Sequence, residues 1–578
     1  MSPRGRKGLS VADFQVIGIE MHSHSMWYHS QVKKALDFME DNGFNALIFH
    51  QSDIVNKLAF PKQYLSSQVL WEKFTTFRAF DIENYSDYLN NVIFEAQKRG
   101  ISVYLNLKEI FYPDELIELH PELIGPDGLV CPTDPFWPDY VRNTITELLE
   151  NVPGIAGIIL SAGTHESRTS ITHKLSCTCE RCRNTDAEAW YTSVFKAVFT
   201  PLKEKHKQFI IRDFSFRAEN QDVLLRAAKS LGDDVIISLK NTPHDFYPPF
   251  PDNPKIGTTG RREWAEFDSW GQFFGSGIFP ASVVEDYAKR LRHCKERGVS
   301  GVFFRVDWEG MFENSTFSSA NKLNLYAAGL LANDIDADPD IAYRKWAKEG
   351  WIETLKTDSE NPKAHPYGDP GRAWRAMKEF MQQSWRILEK TVYVRGHWFC
   401  EDNMFPDSLD KAYKMMVYIH GRDDWEPGAS MRVQATAENL RKIFEEKAQA
   451  EKELEKLQGI VDKDEPGFDT ETKKDLHELM KLYRLYVGIA VRSAHAVFET
   501  RLYADKKDQD AKMRGLKATE ELRRYAEIIR KALDERTVFY PHIVFWLVND
   551  RRMDALANDC DLYLFDQKVF SEGNYRKG

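Results

Sequence analysis

The sequence predicts an α/β fold, a (β/α)8 TIM barrel over residues 13–325, followed by an all-α domain over residues 326–578. Short apolar runs alternate with amphipathic segments from residue 14 onward, and this alternation is typical of a parallel sheet covered by helices. A glycine precedes several runs, as in N-G-F-N-A-L-I-F and R-G-V-S-G-V-F-F, where it suits the end of a helix. Strand patterns nearly vanish beyond residue 326. An open doubly wound sheet is the alternative, but no G-x-G-x-x-G follows the first strand.

The barrel strands are predicted from apolar runs, and the helices between them from amphipathic periodicity. The predicted strands are residues 14–21, 45–50, 102–107, 156–161, 209–214, 235–239, 255–259 and 301–306. The clearest helical patterns are residues 31–42, 85–99, 139–151 and 281–297.

The C-terminal region carries long amphipathic stretches at residues 430–458, 473–503 and 510–536. The run F-E-E-K-A-Q-A-E-K-E-L-E-K-L predicts one half of a helical hairpin. We expect this region either to buttress the barrel or to form a dimer contact. Residues 357–369 are rich in Pro, Asn and Asp and predict an internal loop.

Composition narrows the class of partner. The chain has a net charge of −10, which disfavours nucleic acid and anionic membranes as partners. It has no apolar run of about 18 residues, the length that a membrane span needs. The 7 cysteines are an odd number with three crowded together, which favours a reducing, cytoplasmic location over a disulfide framework.

A barrel places its functional residues after the C-terminal ends of the strands. The stretch I-A-G-I-I-L-S-A-G-T-H-E-S-R, residues 155–168, predicts a buried strand that delivers His165, Glu166 and Arg168 into a loop. Polar and aromatic motifs follow the other strands as well, among them H-S-H-S-M-W-Y, K-N-T-P-H-D-F and D-W-E-G. Together they predict one concave site rimmed by loops.

Carboxylates are abundant at these predicted strand ends. Glycoside hydrolysis needs two, a protonated one to donate to the leaving oxygen and an ionised one to activate water or attack carbon. Each carboxylate taken alone is also explained as a loop cap or an ion-pair partner. Aromatic rings that stack on sugars raise the sugar-site hypothesis, with Trp27, Trp270 and Trp308 as candidates. The carboxylate candidates are Glu166, Asp245, Glu263, Glu266, Asp268, Asp307 and Glu309.

Basic residues stand at the same ends. Arg212 and Lys240 follow neighbouring strands and suit a ligand that bears a carboxylate or a phosphate. The alternative is that they neutralise the acidic residues around them, and both can hold at once. His50, after the second strand, is a further candidate for substrate binding.

The motif C-T-C-E-R-C places Cys177, Cys179 and Cys182 in the loop after the fourth strand. Three thiols at this spacing favour a structural zinc site, with His173 or Cys131 as the fourth ligand. The alternative is three reduced thiols in a surface loop. No cofactor is expected for catalysis itself.

Residues 14–351 resemble the family-67 glycoside hydrolases, the α-glucuronidases. The resemblance rests on G-F-N-A-L-I-F-H-Q-S-D-I, C-P-T-D-P-F-W-P-D-Y-V-R and S-L-K-N-T-P-H-D-F, and on the run Y-A-A-G-L-L-A-N-D-I-D-A-D-P-D-I-A-Y-R-K-W after the barrel. The first barrel strand begins almost at once, so the separate N-terminal domain of that family has no counterpart in this sequence.

The resemblance implies a role for several residues. It makes Glu166 the general acid and Asp245 one of two base carboxylates, and it puts Arg212 and Lys240 against the carboxylate of a uronic acid. The second base position falls on Gln272, which cannot take a proton from water. Either Asp245 works alone, or Glu266 or Asp268 replaces the missing base. A lysine that the family carries four residues before its acid is Ala162 in this sequence.

The leading hypothesis is therefore an exo-acting, inverting glycosidase that removes a terminal sugar, expected to be a uronic acid, from an oligosaccharide or glycoside. A retaining glycosidase that uses Glu263, Glu266 or Asp268 as its nucleophile is the second hypothesis. A carbohydrate-binding barrel without catalysis is the third, and the Gln272 departure supports it.

Overall fold

The computed structural model describes residues 12–66, 68, 78–164, 166–172, 177–215, 217–310, 314–349, 370–463, 468, 470–534 and 542–571. Eight parallel strands pair in sequence order, and β8 returns to β1, so the barrel closes and the predicted fold class is confirmed. The strands are β1 (Val16–Met21), β2 (Ala46–His50), β3 (Ser102–Lys108), β4 (Gly157–Ala162), β5 (Gln208–Asp213), β6 (Ile236–Lys240), β7 (Arg262–Asp268) and β8 (Gly301–Arg305).

Helices surround the barrel and then form the C-terminal region. Around the strands lie α1 (His29–Asn42), α2 (Ile54–Leu58), α3 (Arg78–Lys98), α4 (Asp114–Leu119), α5 (Phe136–Asn151), α6 (Glu180–Asn184), α7 (Ala187–Glu204), α8 (Ala218–Lys229), α9 (Val284–Glu296) and α10 (Lys322–Asn333). The C-terminal region contains α11 (Asp340–Glu349), α12 (Pro370–Val392), α13 (Leu409–Tyr413), α14 (Ala437–Asp462), α15 (Thr470–Lys506), α16 (Gln509–Asp534), α17 (His542–Leu547) and α18 (Asp550–Leu564).

The barrel interior is divided along its axis. Its lower part is an apolar cluster of inward-facing side chains, because alternate residues of each strand face the same side. Two or four residues further along the same strands, the inward positions become polar and charged, and these side chains are buried below the mouth. The apolar members are Ala46, Ile48, Tyr104, Ile159, Ile210, Ile236, Trp264 and Phe303. The polar members include Glu20, His50, Asn106, Lys108, Ser161, Arg212, Lys240, Glu266 and Arg305.

The seventh strand differs from the sequence prediction. Residues 255–259 form turns, and the strand is Arg262–Asp268, within the segment that the sequence assigned to a loop. The sequence R-E-W-A-E-F-D carries acidic side chains at both inward and outward positions, so it has no continuous apolar run. The acidic residues of this segment therefore lie along a strand, at different heights in the barrel.

The C-terminal region is predominantly helical and contains a short hairpin of β9 (Tyr393–Val394) and β10 (His397–Trp398). Helices α14 and α15 pack together, as the hairpin prediction expected. Helix α10 packs on β1 and β8 and completes the barrel, so the expected boundary at residue 325 falls inside a barrel helix. The loop expected at residues 357–369 lies outside the described residues. No helix in the described part of the chain has the length and apolarity that crossing a bilayer requires.

Candidate active site

The centre of the barrel is held by a paired arginine and glutamate. Nε and Nη2 of Arg212 donate to the two carboxylate oxygens of Glu266 at 2.6 and 2.7 Å, and Nη1 donates to Ser161 Oγ at 3.0 Å. Both charged side chains are fully buried. Burial opposes ionisation of Glu266, but Arg212 lowers its pKa below the usual range. This pair supports the prediction that Arg212 neutralises an acidic residue. Both carboxylate oxygens of Glu266 are engaged by Arg212, which does not favour Glu266 as a base or nucleophile.

A second chain of contacts runs from the interior to the mouth. Nδ1 of His50 lies 3.2 Å from Oε1 of Glu20, and Nε2 of His50 lies 2.8 Å from Nζ of Lys108. Nζ of Lys108 also contacts Oε2 of Glu166, whose side chain is 32% exposed at the mouth. Burial and the neighbouring His22 and Lys108 hold the pKa of His50 well below its usual value. His50 is therefore a buried, neutral neighbour of Lys108. This burial does not favour the expected contact of His50 with substrate, which stays a prediction.

Glu109 fixes the loop that carries Glu166. Its carboxyl oxygens accept from the backbone N–H of Gly163 at 2.5 Å and from Ser167 Oγ at 3.0 Å. Burial raises the pKa of Glu109 to about 7. The guanidinium of Arg168 is engaged by residues that follow β3. Its Nη1 donates to the backbone oxygen of Tyr112 at 3.0 Å and lies 2.5 Å from Oδ1 of Asp114. His165 lies outside the described residues.

Asp245, on the loop after β6, lies beside Lys240 at the end of that strand and beside His244. Nζ of Lys240 donates to Oδ1 of Asp245 at 2.5 Å and to the backbone oxygen of His244 at 2.8 Å. Burial opposes ionisation, but Lys240 and His244 hold the pKa of Asp245 well below its usual range. Asp245 is therefore expected to be ionised at neutral pH. With His244 and His420 it forms a buried cluster of metal-ligand type, but the Lys240 ammonium at Asp245 disfavours a second cation there.

The loop after β8 contributes Glu309, one of the carboxylate candidates named from the sequence. Oε2 of Glu309 lies 2.9 Å from Nδ1 of His22, and the Glu309 side chain is 40% exposed. Burial of part of the group opposes ionisation, but His22 and Arg305 lower the pKa of Glu309 to about 2. Asp307 instead accepts from the backbone N–H and hydroxyl groups of the loop after β1, so it ties two loops together.

Asp402, which no sequence motif singled out, is a carboxyl group that the C-terminal region brings to the mouth. Asp402 and Asn403 have φ values of 47° and 62°, and Glu401 and Met404 exchange backbone hydrogen bonds at 2.9 and 2.8 Å. This is a two-residue turn of the kind that favours Asp and Asn. Burial, Glu401, and the Glu309 and Asp245 carboxylates of the barrel raise the pKa of Asp402 to about 6. The D-N pair was the available signal, but the sequence did not indicate which surface the turn would meet.

The side chain of Asn403 anchors this turn to the barrel. Its Nδ2 donates to the backbone oxygen of Gln272 at 2.6 Å and to Ser276 Oγ at 2.5 Å, while its Oδ1 accepts from the N–H of Gly275 at 2.8 Å. Tyr486 of α15 donates to the backbone oxygen of Asn403 at 2.7 Å. The loop after β7 and the C-terminal region are therefore fixed to each other next to Asp402.

Three of the predicted site residues on or after β7 have structural roles instead. Glu263 lies near the start of β7, where it accepts from Gly257 N at 2.6 Å and Thr259 Oγ1 at 2.6 Å, so it is remote from the mouth. Asp268 accepts from the backbone N–H groups of the following turn, including Trp270 at 3.0 Å. The Trp270 ring is completely buried and offers no face to a sugar. These positions do not favour Glu263 or Asp268 as a base or nucleophile, or Trp270 in stacking, and those roles stay untested predictions.

The remaining predicted aromatic residues are half-buried. Trp27 donates to Gln51 Oε1 at 2.7 Å and packs edge-on against Tyr85, with ring centroids 4.6 Å apart. Trp308 lies between Asp307 and Glu309 and packs in part against the core. Gln272 accepts from Nη1 of Arg305 at 2.7 Å, and Nε of Arg305 lies 3.5 Å from Oε1 of Glu20.

The cysteines of C-T-C-E-R-C meet a fourth cysteine from another loop. Cys131, between α4 and α5, joins Cys177, Cys179 and Cys182, and their sulfur atoms all lie within 4.8 Å of one another. His173, the other candidate for a fourth ligand, lies outside the described residues.

Comparisons with known proteins support the architecture. No protein-family model and no curated protein matches the chain. A solved GH138 enzyme targeting pectin rhamnogalacturonan II is similar over 96% of this chain and 83% of its own, with a TM-score of 0.62 and 13% identity. An O-GlcNAc hydrolase of Thermobaculum terrenum is similar over 96% of this chain and 97% of its own, with a TM-score of 0.42 and 13% identity. At such identities the GH138 match establishes a shared fold and does not show the expected family-67 membership.

Proposed function

We propose that the protein is an exo-acting glycoside hydrolase that removes a terminal sugar from an oligosaccharide or glycoside. The observation that carries this proposal is the set of carboxyl groups around the barrel mouth, contributed by separate elements. Glu166, Asp245, Glu309 and Asp402 have different charge environments, as acid–base cleavage of a glycosidic bond requires. The shared fold with the GH138 enzyme adds support by analogy.

The proposed role of Glu166 rests on the family resemblance and on its exposure, and the roles of Asp402 and Asp245 rest on their charge environments. Glu166 is partly exposed and is proposed as the general acid that protonates the leaving oxygen. Asp402, with a pKa of about 6, is better suited than Asp245 to take a proton from water near neutral pH. Asp245 remains ionised and would stabilise positive charge at the anomeric carbon. Direct attack of the activated water on the anomeric carbon of the substrate implies inversion, which proton NMR of the first-formed anomer tests.

An exo mode of action is supported by the segments that cover one side of the mouth. His244, after β6, contacts the backbone oxygen of Ile419 at 2.6 Å, and Tyr247 hydrogen-bonds His420. Together with the Asn403 contacts to the loop after β7, these segments wall the β6–β7 side. A walled mouth favours a pocket for a chain end over a groove that a polymer crosses.

A terminal uronic acid is the first substrate class to test. Its support comes from the resemblance to α-glucuronidases. The charges of the site add none, because Arg212 and Lys240 each already pair with a carboxylate of the protein. A substrate carboxylate would have to share Lys240 with Asp245. The same panel must therefore include neutral and N-acetylated sugars.

The test is turnover of a panel of aryl glycosides and aryl glycosiduronic acids by the wild type and by Glu166→Gln. We expect wild-type turnover of at least one sugar class, and a loss of about 10²- to 10⁴-fold in the variant on substrates with poor leaving groups. Glu188→Gln, on the exposed surface of α7, is the matched control. Binding without turnover across the panel would favour a carbohydrate-binding barrel, and full activity of Glu166→Gln would remove Glu166 as the acid.

A further inference from the structure

The four-cysteine cluster joins two loops that are distant in the sequence. Cys131 belongs to the segment between α4 and α5, and Cys177, Cys179 and Cys182 belong to the loop after β4. Sγ of Cys131 lies 3.7 Å from Sγ of Cys179 and 3.4 Å from Sγ of Cys182, and all four cysteines are free thiols. Zinc–sulfur bonds of about 2.3 Å in a tetrahedron separate the sulfurs by roughly 3.8 Å, which is close to these distances.

The surroundings of the cluster suit a group of thiolates. The backbone N–H of Cys182 donates to Sγ of Cys179 at 3.4 Å, and the guanidinium of Arg181 lies 3.7 Å from Sγ of Cys131. Thr133 Oγ1 lies 3.2 Å from Sγ of Cys182. Such contacts offset the negative charge that four thiolates retain around a divalent ion, and they orient the ligands.

The backbone also closes around one sulfur. A Cβ atom on Gly125 would lie 2.7 Å from Sγ of Cys177, so any larger residue there would force that sulfur to move. Asp127 accepts from the N–H of Thr178 at 2.5 Å and from its hydroxyl at 2.9 Å, which holds residues 177–179 against residues 125–129. The position of the Cys177 sulfur is thus set from both loops.

We infer that Cys131, Cys177, Cys179 and Cys182 form a structural zinc site that clamps the loop after β4 to the loop after β3. The four protein ligands fill a tetrahedral shell and leave no position for substrate, so the ion has no catalytic role. The clamped loop also carries Glu166 and Ser167, and Ser167 donates to Glu109. The zinc therefore fixes one side of the mouth, and this inference does not depend on the sugar that is cleaved.

The test is the metal content of the full chain, purified without chelator and measured by inductively coupled plasma mass spectrometry. We expect one zinc per chain, loss of most of it in Cys131→Ser, and no loss in Cys294→Ser, whose thiol is buried in α9 outside the cluster. Cobalt substitution should give a thiolate-to-cobalt charge-transfer band that is much weaker in Cys131→Ser than in the wild type. A metal-free wild type that also fails to bind zinc or cobalt after reduction, or one equivalent of iron in place of zinc, would overturn the assignment.

A second variant, Gly125→Ala, tests the site even if Cys131→Ser fails to fold. In Gly125→Ala the new methyl group meets only the Cys177 sulfur at less than 3.0 Å. A free thiol can rotate away at little cost, whereas a zinc-bound sulfur cannot. We expect Gly125→Ala to fold with unchanged circular dichroism but to release zinc to a chromogenic chelator faster than the wild type. An unchanged release rate would contradict the proposed ligation of Cys177.

Discussion

Nζ of Lys108 lies 2.8 Å from Nε2 of His50 and at the same time contacts the carboxylate of Glu166. The other ring nitrogen of His50 faces Glu20, so the position of an exposed carboxyl group is set from the fully buried interior. The resemblance to α-glucuronidases expects a lysine at position 162, where this chain has alanine. Lys108 supplies an ammonium group to the proposed acid from the neighbouring strand.

Replacing Lys108 should reduce catalysis more than stability. Lys108→Met keeps the length of the side chain but removes the contact that positions Glu166, and misplacement of a reacting group by about 1 Å can cost roughly 10²-fold in rate. The measurement is kcat/KM together with its pH profile, because loss of the ammonium should change the profile and a packing defect should not. Lys98→Met, at the exposed end of α3, is the control, and an equal loss there would argue against a positioning role.

The pH dependence of activity should report on Asp402. Its pKa is raised to about 6, so its carboxylate fraction increases as pH rises from 5 to 7, and a base must be ionised to act. We expect kcat/KM to rise over this range in the wild type and Asp402→Asn to lose both that limb and most of the rate. Glu109→Gln should retain the limb. A limb that persists in Asp402→Asn would assign the base to another group.

Glu109 should make stability depend on pH in the opposite sense to a salt-bridged carboxylate. Burial raises its pKa to about 7, so the folded state holds a proton that the unfolded state releases above about pH 4.3. The free energy of unfolding should therefore fall as pH rises from 4.3 to 7, by at most about 3 kcal/mol from this group. Glu109→Gln should flatten this dependence in urea titrations at pH 5 to 8, whereas Glu118→Gln on exposed α4 should not.

The Arg212–Glu266 pair should be costly to break on one side only. Glu266→Gln leaves a buried guanidinium without its counter-charge, and single removals of this kind cost about 3–5 kcal/mol. The double variant Arg212→Met with Glu266→Leu should lose much less than the sum of the two single changes in a urea double-mutant cycle. The exposed Arg226–Glu188 pair, treated in the same way, should show little coupling.

The strands were predictable wherever burial on both faces made them continuous apolar runs, as in G-I-I-L-S-A and G-V-F-F-R. Strand β7 was not, because Glu263, Glu266 and Asp268 interrupt any such run, and each is stabilised by a partner that only the fold supplies. A linear pattern records which residues are charged but does not give their height along a barrel strand.

The same limit applies to the site. The prediction that Glu166 follows β4 required only the strand and its end, and the structure brings it to the mouth. The sequence could not show whether Arg212 and Lys240 are free to bind a substrate carboxylate. That depends on their neighbours in the fold, which are Glu266 and Asp245. Asp402 was beyond reach, because its approach depends on Asn403 hydrogen-bonding a loop more than a hundred residues earlier in the chain.

The Asn403 contacts also have a consequence for biosynthesis. The last barrel strand ends at Arg305, well before the ribosome adds Asp402. All eight barrel strands are therefore synthesised before the proposed water-activating carboxyl group. On this assignment hydrolytic competence arrives late in translation, because a chain that stops at residue 349 contains Glu166 and all eight strands but not Asp402.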